Sequence, residues 1–292
     1  MTEPARVVAL PGRRSPARAL LVSLRPAQWS KNLLVFAGIV FAARLDDPLR
    51  WVWAVAAFGA YCAASSAAYL VNDVRDADED RRHATKRTRP VARGELSAQA
   101  ALWVAGVLFL CAFALVAPLG IVTVGILASF VALQLLYTLG LKHLVLLDVF
   151  AIAALFVVRA TAGAEAVEVP ISPWLLVCTA LLALFLALGK RRGELAAGVP
   201  VPDGYSPALV DQLVSVVAAS TVIAYSLYTF TAHSTAMMAT IPFVLYGVFR
   251  YLLLVHRDDL GEEPEQVLLT DRPILATVAL WALTSAAILE LT

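Results

Sequence analysis

The sequence predicts an all-α protein that crosses a membrane as a bundle of nine transmembrane helices, with its N-terminus in the cytoplasm. The first observation is composition: of 292 residues, 60% are hydrophobic and only 15% are charged. A soluble domain of this size is nearer half apolar and a quarter charged. The second is that the apolar residues fall into runs of roughly 20, the length that a helix needs to cross a bilayer. The third is an uneven distribution of Lys and Arg between these runs.

Nine apolar segments are candidates for the transmembrane helices. Proline and glycine mark their limits, because Pro118 and Gly120 separate the third from the fourth and Pro273 opens the ninth. Ahead of them, residues 1–18 hold four arginines and three prolines and predict a disordered basic tail. We expect residues 19–292 to form a single transmembrane domain. The predicted segments are about 28–44, 51–71, 99–117, 120–140, 144–163, 173–189, 208–231, 236–255 and 273–291.

The basic residues predict the orientation of the bundle in the cell membrane. With the N-terminus inside, the inner segments and their immediate flanks hold twenty of the 23 Lys and Arg residues, whereas the outer loops hold only Arg44 and Arg50. Cytoplasmic loops of membrane proteins carry such an excess of positive charge. We therefore expect the loops after the second, fourth, sixth and eighth helices to lie in the cytoplasm.

A run of acidic residues follows the second predicted helix without a linker. If that helix continues, Asp73, Asp76 and Asp80 are spaced i, i+3 and i+7 and share one face. Three converging carboxylates repel one another unless a cation lies between them, and Mg²⁺ prefers such oxygen ligands and shares them with substrate phosphates. Asn72 supplies an amide oxygen or orients a carboxylate. The alternative is a solvated helix end with salt bridges.

The segment after the acidic run is basic and contains Pro90 and Gly94. Forked guanidinium groups and lysine ammonium groups in such a loop can wrap a diphosphate. The alternative function is to anchor the loop to anionic lipid on the inner side of the membrane. Acids for a metal next to bases for phosphates favour the diphosphate site. The cations concerned are Lys86, Arg87, Arg89 and Arg93.

These residues resemble the UbiA-type superfamily of intramembrane prenyltransferases, over nearly the whole chain from Arg25 onward. The likeness rests on the nine spans, the aspartate motif at 72–80, the basic loop ending at Arg89-Pro90, and Asp148 with Arg159 in the fifth span. Within the superfamily the chain resembles most the decaprenyl-phosphate phosphoribosyltransferase branch. That closer likeness is carried by Arg25-Pro26-x-x-Trp29-x-Lys31-Asn32, Gly189-Lys190-Arg191-x-x-Glu194-Leu195, Gly261-Glu262-x-Pro264-Glu265 and Asp271-Arg272.

One departure from the superfamily pattern bears on the substrate. Members that consume prenyl diphosphates carry a second aspartate-rich motif in the loop after the sixth span. Here that loop begins Lys190-Arg191-Arg192-Gly193-Glu194. One acid and three bases cannot hold a second magnesium cluster, but they can bind a phosphate directly. The alternative is again an inside-positive anchor. The sequence thus indicates one metal–diphosphate site and one cationic monophosphate site.

The resemblance implies an enzyme with an active-site cavity that faces the cytoplasm. The implied reaction is Mg²⁺-dependent transfer of 5-phosphoribose from phosphoribosyl pyrophosphate to a polyprenyl phosphate of the decaprenyl type. Its catalytic and metal-binding residues are Asp73, Asp76 and Asp80. The implied partners are these two substrates and the bilayer, with no nucleic acid, and the sequence leaves the oligomeric state open. The substrate-binding residues are Lys31, Asn72, Lys86, Arg87, Arg89, Tyr137, Lys142, Asp148, Lys190, Arg191, Glu194 and Tyr205.

Several of these residues have more than one interpretation. Asp148 lies near the cytoplasmic end of its span and reaches either the ribose or Lys142, while Arg159 in the same helix has a structural or a substrate role. Tyr137 with Lys142 could cap the cavity. Tyr205 follows a turn and either covers the monophosphate or is a plain loop residue.

Three rival functions are weighed against the phosphoribosyl transfer. One is transfer of a prenyl group from a prenyl diphosphate to an aromatic or lipid acceptor. Another is transport, which is expected to place polar residues at mid-span. Beyond Asp148 and Arg159 the predicted spans are nearly free of charge, which favours an enzyme. A structural scaffold would leave the aspartate spacing unexplained.

Overall fold

The computed structural model describes residues 12–41, 47–82, 86–231, 235–257, 267 and 270–291, and these form helices and connecting turns without a strand. The all-α prediction is therefore confirmed for this part of the chain. Short 3-10 helices cover Pro26–Phe36, Lys86–Thr88, Ala117–Leu119, Leu141–His143 and Thr235–Thr240. The α-helices are α1 (Pro16–Leu24), α2 (Ala37–Phe41), α3 (Pro48–Arg75), α4 (Ala77–Arg82), α5 (Ala98–Val116), α6 (Ile121–Leu139), α7 (Leu147–Ala166), α8 (Pro173–Ala196), α9 (Pro207–Thr231), α10 (Ile241–Arg257) and α11 (Arg272–Leu291).

Seven helical segments in the described part of the chain are long and apolar enough to cross a membrane, so the protein is a multi-pass membrane protein. They correspond to the second through the eighth predicted spans. The first predicted span contains instead the 3-10 helix Pro26–Phe36 followed by α2, and part of it lies outside the described residues. The ninth contains α11, whose apolar part is shorter. These two spans and the orientation of the bundle stay predictions.

The chain forms two compact units. The first contains the described residues up to Leu33 and those from Ala56 to Val124. Its core joins α3 to α5 through small side chains, because Ala67 and Leu70 pack with Ala101 and Ala105 and with Val91 from the intervening loop. This packing fixes the C-terminal end of α3, where the acidic run begins.

The second unit contains the described residues between 34 and 55 and those from Gly125 onward. In it α8 packs against α7 and α9, and α10 packs against α11. The short helix α2 lies so close to α7 that a Cβ added to Gly163 would be 1.9 Å from the backbone oxygen of Val35. A Cβ added to Gly38 would likewise be 2.6 Å from the Cα of Ala164. Glycine is therefore required at both positions for the two backbones to approach.

The start of α1 bears on the predicted basic tail. Its first residue is Pro16, and the Ser15 hydroxyl accepts a hydrogen bond from the Arg18 backbone N–H as an N-cap. Arg14 makes an ion pair of 2.9 Å with Glu95. The predicted boundary at residue 18 thus falls inside a helix, while residues 1–11, where most of the tail lies, are outside the described residues.

Candidate functional site

The acidic run spans a break between two helices. Helix α3 ends at Arg75, Asp76 lies in a turn, and α4 begins at Ala77. Backbone hydrogen bonds of helical type still cross the break, from the Asp76 N–H to the Asn72 carbonyl (2.9 Å) and from the Asp80 N–H to the Asp76 carbonyl (2.8 Å). The break therefore turns the chain only locally, and Asp73 and Asp80 can approach a shared partner.

That shared partner is an arginine of the basic loop. Arg89 Nη1 lies 2.7 Å from Asp80 Oδ2 and 3.3 Å from Asp73 Oδ1. A second arginine, Arg25, also forms an ion pair with Asp73 Oδ1. We call these four residues the Asp73 cluster. Both carboxylates are buried, the side chain of Asp73 being only 1% exposed.

One oxygen of the Asp73 cluster has no partner. Asp73 Oδ2 is buried without a hydrogen bond, whereas Oδ1 of the same carboxylate is approached by two guanidinium groups. A buried unsatisfied carboxylate oxygen is costly and rare in native structures. Such an oxygen next to a second carboxylate is the donor set that Mg²⁺ prefers. The residues present therefore fit a divalent cation.

The predicted convergence of three carboxylates is not what the structure contains. Among the described residues, no three His, Cys, Asp or Glu side chains lie close enough together to hold a metal. Two arginines lie against the carboxylates of Asp73 and Asp80 instead. Asp78, an exposed acid of the same run, forms an ion pair with Arg81. The metal-binding roles of Asp73, Asp76 and Asp80 stay predictions.

Arg25 is the residue of this cluster that sequence reasoning did not place in the site. It ends α1 in the left-handed region, with φ 52° and ψ 60°, and its guanidinium carbon lies 4.6 Å from the centre of the Tyr69 ring. Burial lowers the pKa of the Arg25 guanidinium, and the charge of Asp73 opposes this. Arg25 belongs to the motif that begins Arg25-Pro26, which is a sequence signal that could have placed it in the site. Its contact with Asp73, 48 residues away, cannot be predicted from sequence spacing.

The other cations of the basic loop differ in exposure and in partners. Lys86 is exposed and Arg87 is half-buried in the 3-10 helix Lys86–Thr88. Arg93 Nε lies 3.3 Å from Glu95, which Arg14 also contacts. Arg81 donates from Nε to the Ala92 carbonyl at 3.1 Å and so joins α4 to the loop. By exposure, Lys86 and Arg87 are therefore the loop cations most accessible to a phosphate.

Lys31, Asn32 and Asn72 lie in the first unit, which also contains the Asp73 cluster. Lys31 is half-buried in the 3-10 helix Pro26–Phe36, and Asn32 is fully buried with its Nδ2 donating to Cys62 Sγ at 3.4 Å. Trp29 Nε1 donates to Ser66 Oγ at 3.0 Å. These contacts fix the segment that follows Arg25. Asn72 is half-buried beside Asp73 in α3.

A second group of charged residues lies in the second unit, at the C-terminal half of α8. Arg191 of α8 donates from Nε to Asp148 Oδ2 at 2.7 Å and also pairs with Glu194. Tyr205 donates its hydroxyl to Asp148 Oδ1 at 2.7 Å. We call these four residues the Arg191 cluster. It brings together four predicted site residues from three parts of the chain, and the Tyr137 hydroxyl oxygen accepts a hydrogen bond from Arg191.

Tyr205 locks the first turn of α7. Its hydroxyl accepts a hydrogen bond from the Leu146 N–H at 3.0 Å while donating to Asp148. Leu146 has φ 66°, a strained value for a leucine, and caps α7 in that conformation. Burial, followed by the bond to Asp148, raises the pKa of the Tyr205 hydroxyl. The hydroxyl therefore remains a donor, and Tyr205 is more than a plain loop residue.

The three basic residues after the sixth span have different environments. Arg191 is buried between two acids, and Arg192 Nε lies 3.3 Å from Asp211 Oδ1. Lys190 is the exposed member, with 41% of its side chain accessible and its Nζ 3.9 Å from Glu194. Lys142 lies in the 3-10 helix Leu141–His143, and both oxygens of Asp148 are engaged by other residues. Lys190 is thus the cation best placed to meet a phosphate.

Arg159 has its own environment within α7. It is buried, donates from Nη1 to the Leu155 carbonyl at 3.0 Å, and faces the rings of Phe130 and Phe156 at 4.6 and 5.4 Å. Although it shares a helix with Asp148, that carboxylate pairs with Arg191 instead.

Comparisons with known proteins now identify the fold and the family. The sequence profile of the UbiA prenyltransferase family matches residues 32–270. The decaprenyl-phosphate phosphoribosyltransferase of Mycolicibacterium smegmatis is 32% identical to this chain over 309 aligned positions, covering 96% of this chain and 95% of that protein. The protein of the same name from Mycobacterium tuberculosis (strain H37Rv) is 33% identical, covering 91% and 92%.

A solved structure has the same fold. The UbiA homolog from Archaeoglobus fulgidus bound to GPP and Mg²⁺ superposes with a TM-score of 0.74 at 18% identity, covering 93% of this chain and 99% of that one. At this level of sequence identity the likeness supports the fold alone. Together with the match over residues 32–270, it shows that the chain belongs to the UbiA prenyltransferase family.

Proposed function

We propose that this protein transfers 5-phosphoribose from phosphoribosyl pyrophosphate to a polyprenyl phosphate of the decaprenyl type and releases pyrophosphate. Two relatives that carry this activity in their names match more than nine tenths of the chain. The observation that carries the proposal is the contrast between the two clusters. Carboxylates with an unpaired buried oxygen lie at the end of α3, whereas the end of α8 is basic.

The Asp73 cluster is proposed to hold the sugar donor through its diphosphate. Asp73 and Asp80, with Asp76 and Asn72 beside them, would hold Mg²⁺, which neutralises charge on the leaving pyrophosphate when bound. Lys86 and Arg87 would donate to the diphosphate oxygens. The solved homologue bound to Mg²⁺ supports a divalent metal in this family. The bond from the anomeric carbon to pyrophosphate breaks, and pyrophosphate leaves with the bonding electrons.

The Arg191 cluster is proposed to receive the acceptor phosphate, with Lys190 making the direct contact and Arg191 held by Asp148, Glu194 and Tyr205. An oxygen of the polyprenyl phosphate forms the new bond to the anomeric carbon. A phosphomonoester loses its second proton near pH 6, so this oxygen is already anionic at neutral pH. The reaction therefore needs no protein base, and none of the roles proposed here is that of a base.

The proposed location is the cell membrane, with both clusters on the cytoplasmic side. The support is the positive charge of the loops after the second, fourth, sixth and eighth predicted spans. Phosphoribosyl pyrophosphate carries several negative charges and is expected to reach its site from water, whereas the polyprenyl chain is expected to remain in the bilayer. The basic residues that hold phosphates and those that set the orientation are thus partly the same.

The test uses purified protein in detergent with Mg²⁺, radiolabelled phosphoribosyl pyrophosphate and decaprenyl phosphate. We expect label to appear in the lipid fraction together with an equal amount of pyrophosphate. In parallel, a labelled prenyl diphosphate is offered with aromatic and lipid acceptors. Label transferred from the prenyl diphosphate alone would overturn the proposal in favour of prenyl transfer.

A further inference from the structure

We propose that Arg25 couples metal binding to diphosphate binding, so that the site takes a divalent cation together with a diphosphate and takes the bare cation poorly. The inference rests on the proposed function and extends it to a residue that the function did not require. Arg25 becomes the residue that makes the site specific for a metal–diphosphate pair.

The position of Arg25 is fixed from two sides. Its backbone ends α1 in the left-handed region and donates to the Val22 carbonyl, and its guanidinium lies over the Tyr69 ring at 4.6 Å. From there it forms an ion pair with Asp73 Oδ1. Tyr69 lies one helical turn before Asp73 in α3, so ring and carboxylate present a continuous surface to the arginine. The contacts of Arg25 with Val22 and Tyr69 therefore position it for the ion pair with Asp73.

The charges of the Asp73 cluster cancel. Asp73 and Asp80 carry two negative charges, and Arg25 and Arg89 carry two positive charges in contact with them. A bare divalent cation at Asp73 Oδ2 would therefore gain little net attraction, while both guanidinium groups would repel it. Repulsion is strong in this setting because Asp73 is only 1% exposed and the local dielectric is low.

A diphosphate changes this balance. Its oxygens accept forked hydrogen bonds from arginine, and its negative charge compensates Arg25 once that residue turns away from Asp73. Asp73 Oδ1 then loses Arg25 as a partner, and Oδ2 already has none. The carboxylate of Asp73 can therefore bind the cation. Arg25 thus exchanges one anionic partner for another, and the exchange is favourable only when cation and diphosphate arrive together.

The experiment measures two dissociation constants on the full-length protein in detergent. The first is that of Mn²⁺ alone, by electron paramagnetic resonance. The second is that of radiolabelled inorganic pyrophosphate at saturating Mg²⁺, by equilibrium dialysis. For the wild type we expect weak binding of Mn²⁺ and binding of the Mg²⁺–pyrophosphate complex that is at least about tenfold tighter, within the usual range for coupled sites.

The variant Arg25→Gln is expected to move the two constants in opposite directions. Binding of Mn²⁺ alone should tighten by about tenfold because a repelling charge is removed, and binding of the complex should weaken by about tenfold because a diphosphate donor is lost. A variant that is merely misfolded would weaken both. Arg25→Lys, which keeps the charge without the fork, should bind Mn²⁺ like the wild type and the complex with intermediate affinity.

Arg18→Gln is the matched control, because it removes the same charge from the exposed face of α1. It should leave both constants unchanged. The inference is overturned if Arg25→Gln alters neither constant or weakens both, or if the wild type binds Mn²⁺ alone as tightly as the complex. The proposed function itself fails if the wild type does not bind Mg²⁺–pyrophosphate, or if replacing Asp73 leaves that binding unchanged.

Discussion

The Asp73 cluster and the Arg191 cluster both pair arginine with carboxylates, but they differ in how completely the oxygens of the buried aspartate are paired. In the Arg191 cluster both oxygens of Asp148 have partners, Arg191 on one and Tyr205 on the other. In the Asp73 cluster two guanidinium groups lie against one oxygen of Asp73, and the other oxygen is buried without a partner. A fully paired buried network rigidifies its surroundings, whereas an unpaired oxygen carries a cost that a ligand can relieve.

This difference in pairing predicts different roles for the two clusters. The Arg191 cluster is already arranged, with Arg191 held by two acids and Lys190 exposed beside them. In the mechanism proposed above, the Asp73 cluster exchanges partners when it takes up a cation and a diphosphate. We therefore expect changes in the Arg191 cluster to act mainly on stability, and changes in the Asp73 cluster to act mainly on ligand binding and turnover.

The largest effect on stability is expected from Arg191→Gln. This change leaves Asp148, which is fully buried, without its cation, and breaking such a pair typically costs about 3–5 kcal/mol. Thermal unfolding in detergent measures the loss. The double variant Arg191→Gln with Asp148→Asn should recover part of it, because no charge is then left unpaired at Asp148. Equal thermal midpoints for Arg191→Gln and the wild type would show that the Arg191 cluster does not stabilise the protein.

A smaller loss is expected from Gly163→Ala in α7, the helix that also carries Asp148. The new Cβ would lie 1.9 Å from the Val35 backbone oxygen, so α7 and the segment leading into α2 must separate. Overpacking of this kind typically costs about 1–3 kcal/mol. Gly106→Ala in α5 is the matched control, since its Cβ would meet nothing within 4 Å. Similar thermal midpoints for the two variants would contradict the close approach.

The smallest loss is expected from Tyr205→Phe, which removes the hydroxyl between Leu146 N–H and Asp148. We expect a cost of about 1 kcal/mol, as for one net hydrogen bond. The raised pKa of Tyr205 adds a pH signature. The native state holds this proton more tightly than the unfolded chain, so its contribution is complete below the unfolded pKa near ~10 and falls as the pH rises above it. The stability gap between wild type and variant should therefore narrow above pH ~10, and a gap independent of pH would contradict this.

Most of the long helices could be predicted from the sequence, because seven apolar runs of sufficient length translate directly into helices. The ion pair of Asp78 with Arg81 was also predictable from its i, i+3 spacing. The break at Asp76 was not, since no Gly or Pro marks it. The contact of Arg25 with Asp73, and that of Asp148 with Arg191, join residues more than 40 positions apart. Such pairs depend on tertiary packing, which local patterns do not contain.

We expect Asp73, with its unpaired oxygen, to contribute mainly to ligand binding and turnover. The most direct measurement is the rate of label transfer from phosphoribosyl pyrophosphate to decaprenyl phosphate in Asp73→Asn and in Asp78→Asn, an exposed acid of the same run that serves as control. We predict that Asp73→Asn loses activity by at least about 100-fold, at the upper end of what metal-site changes cost. Its thermal midpoint should fall less than that of Arg191→Gln, because Arg25 and Arg89 are each 23% exposed and can be hydrated. Asp78→Asn should keep the wild-type rate. An Asp73→Asn protein that turns over at the wild-type rate would contradict this role of Asp73.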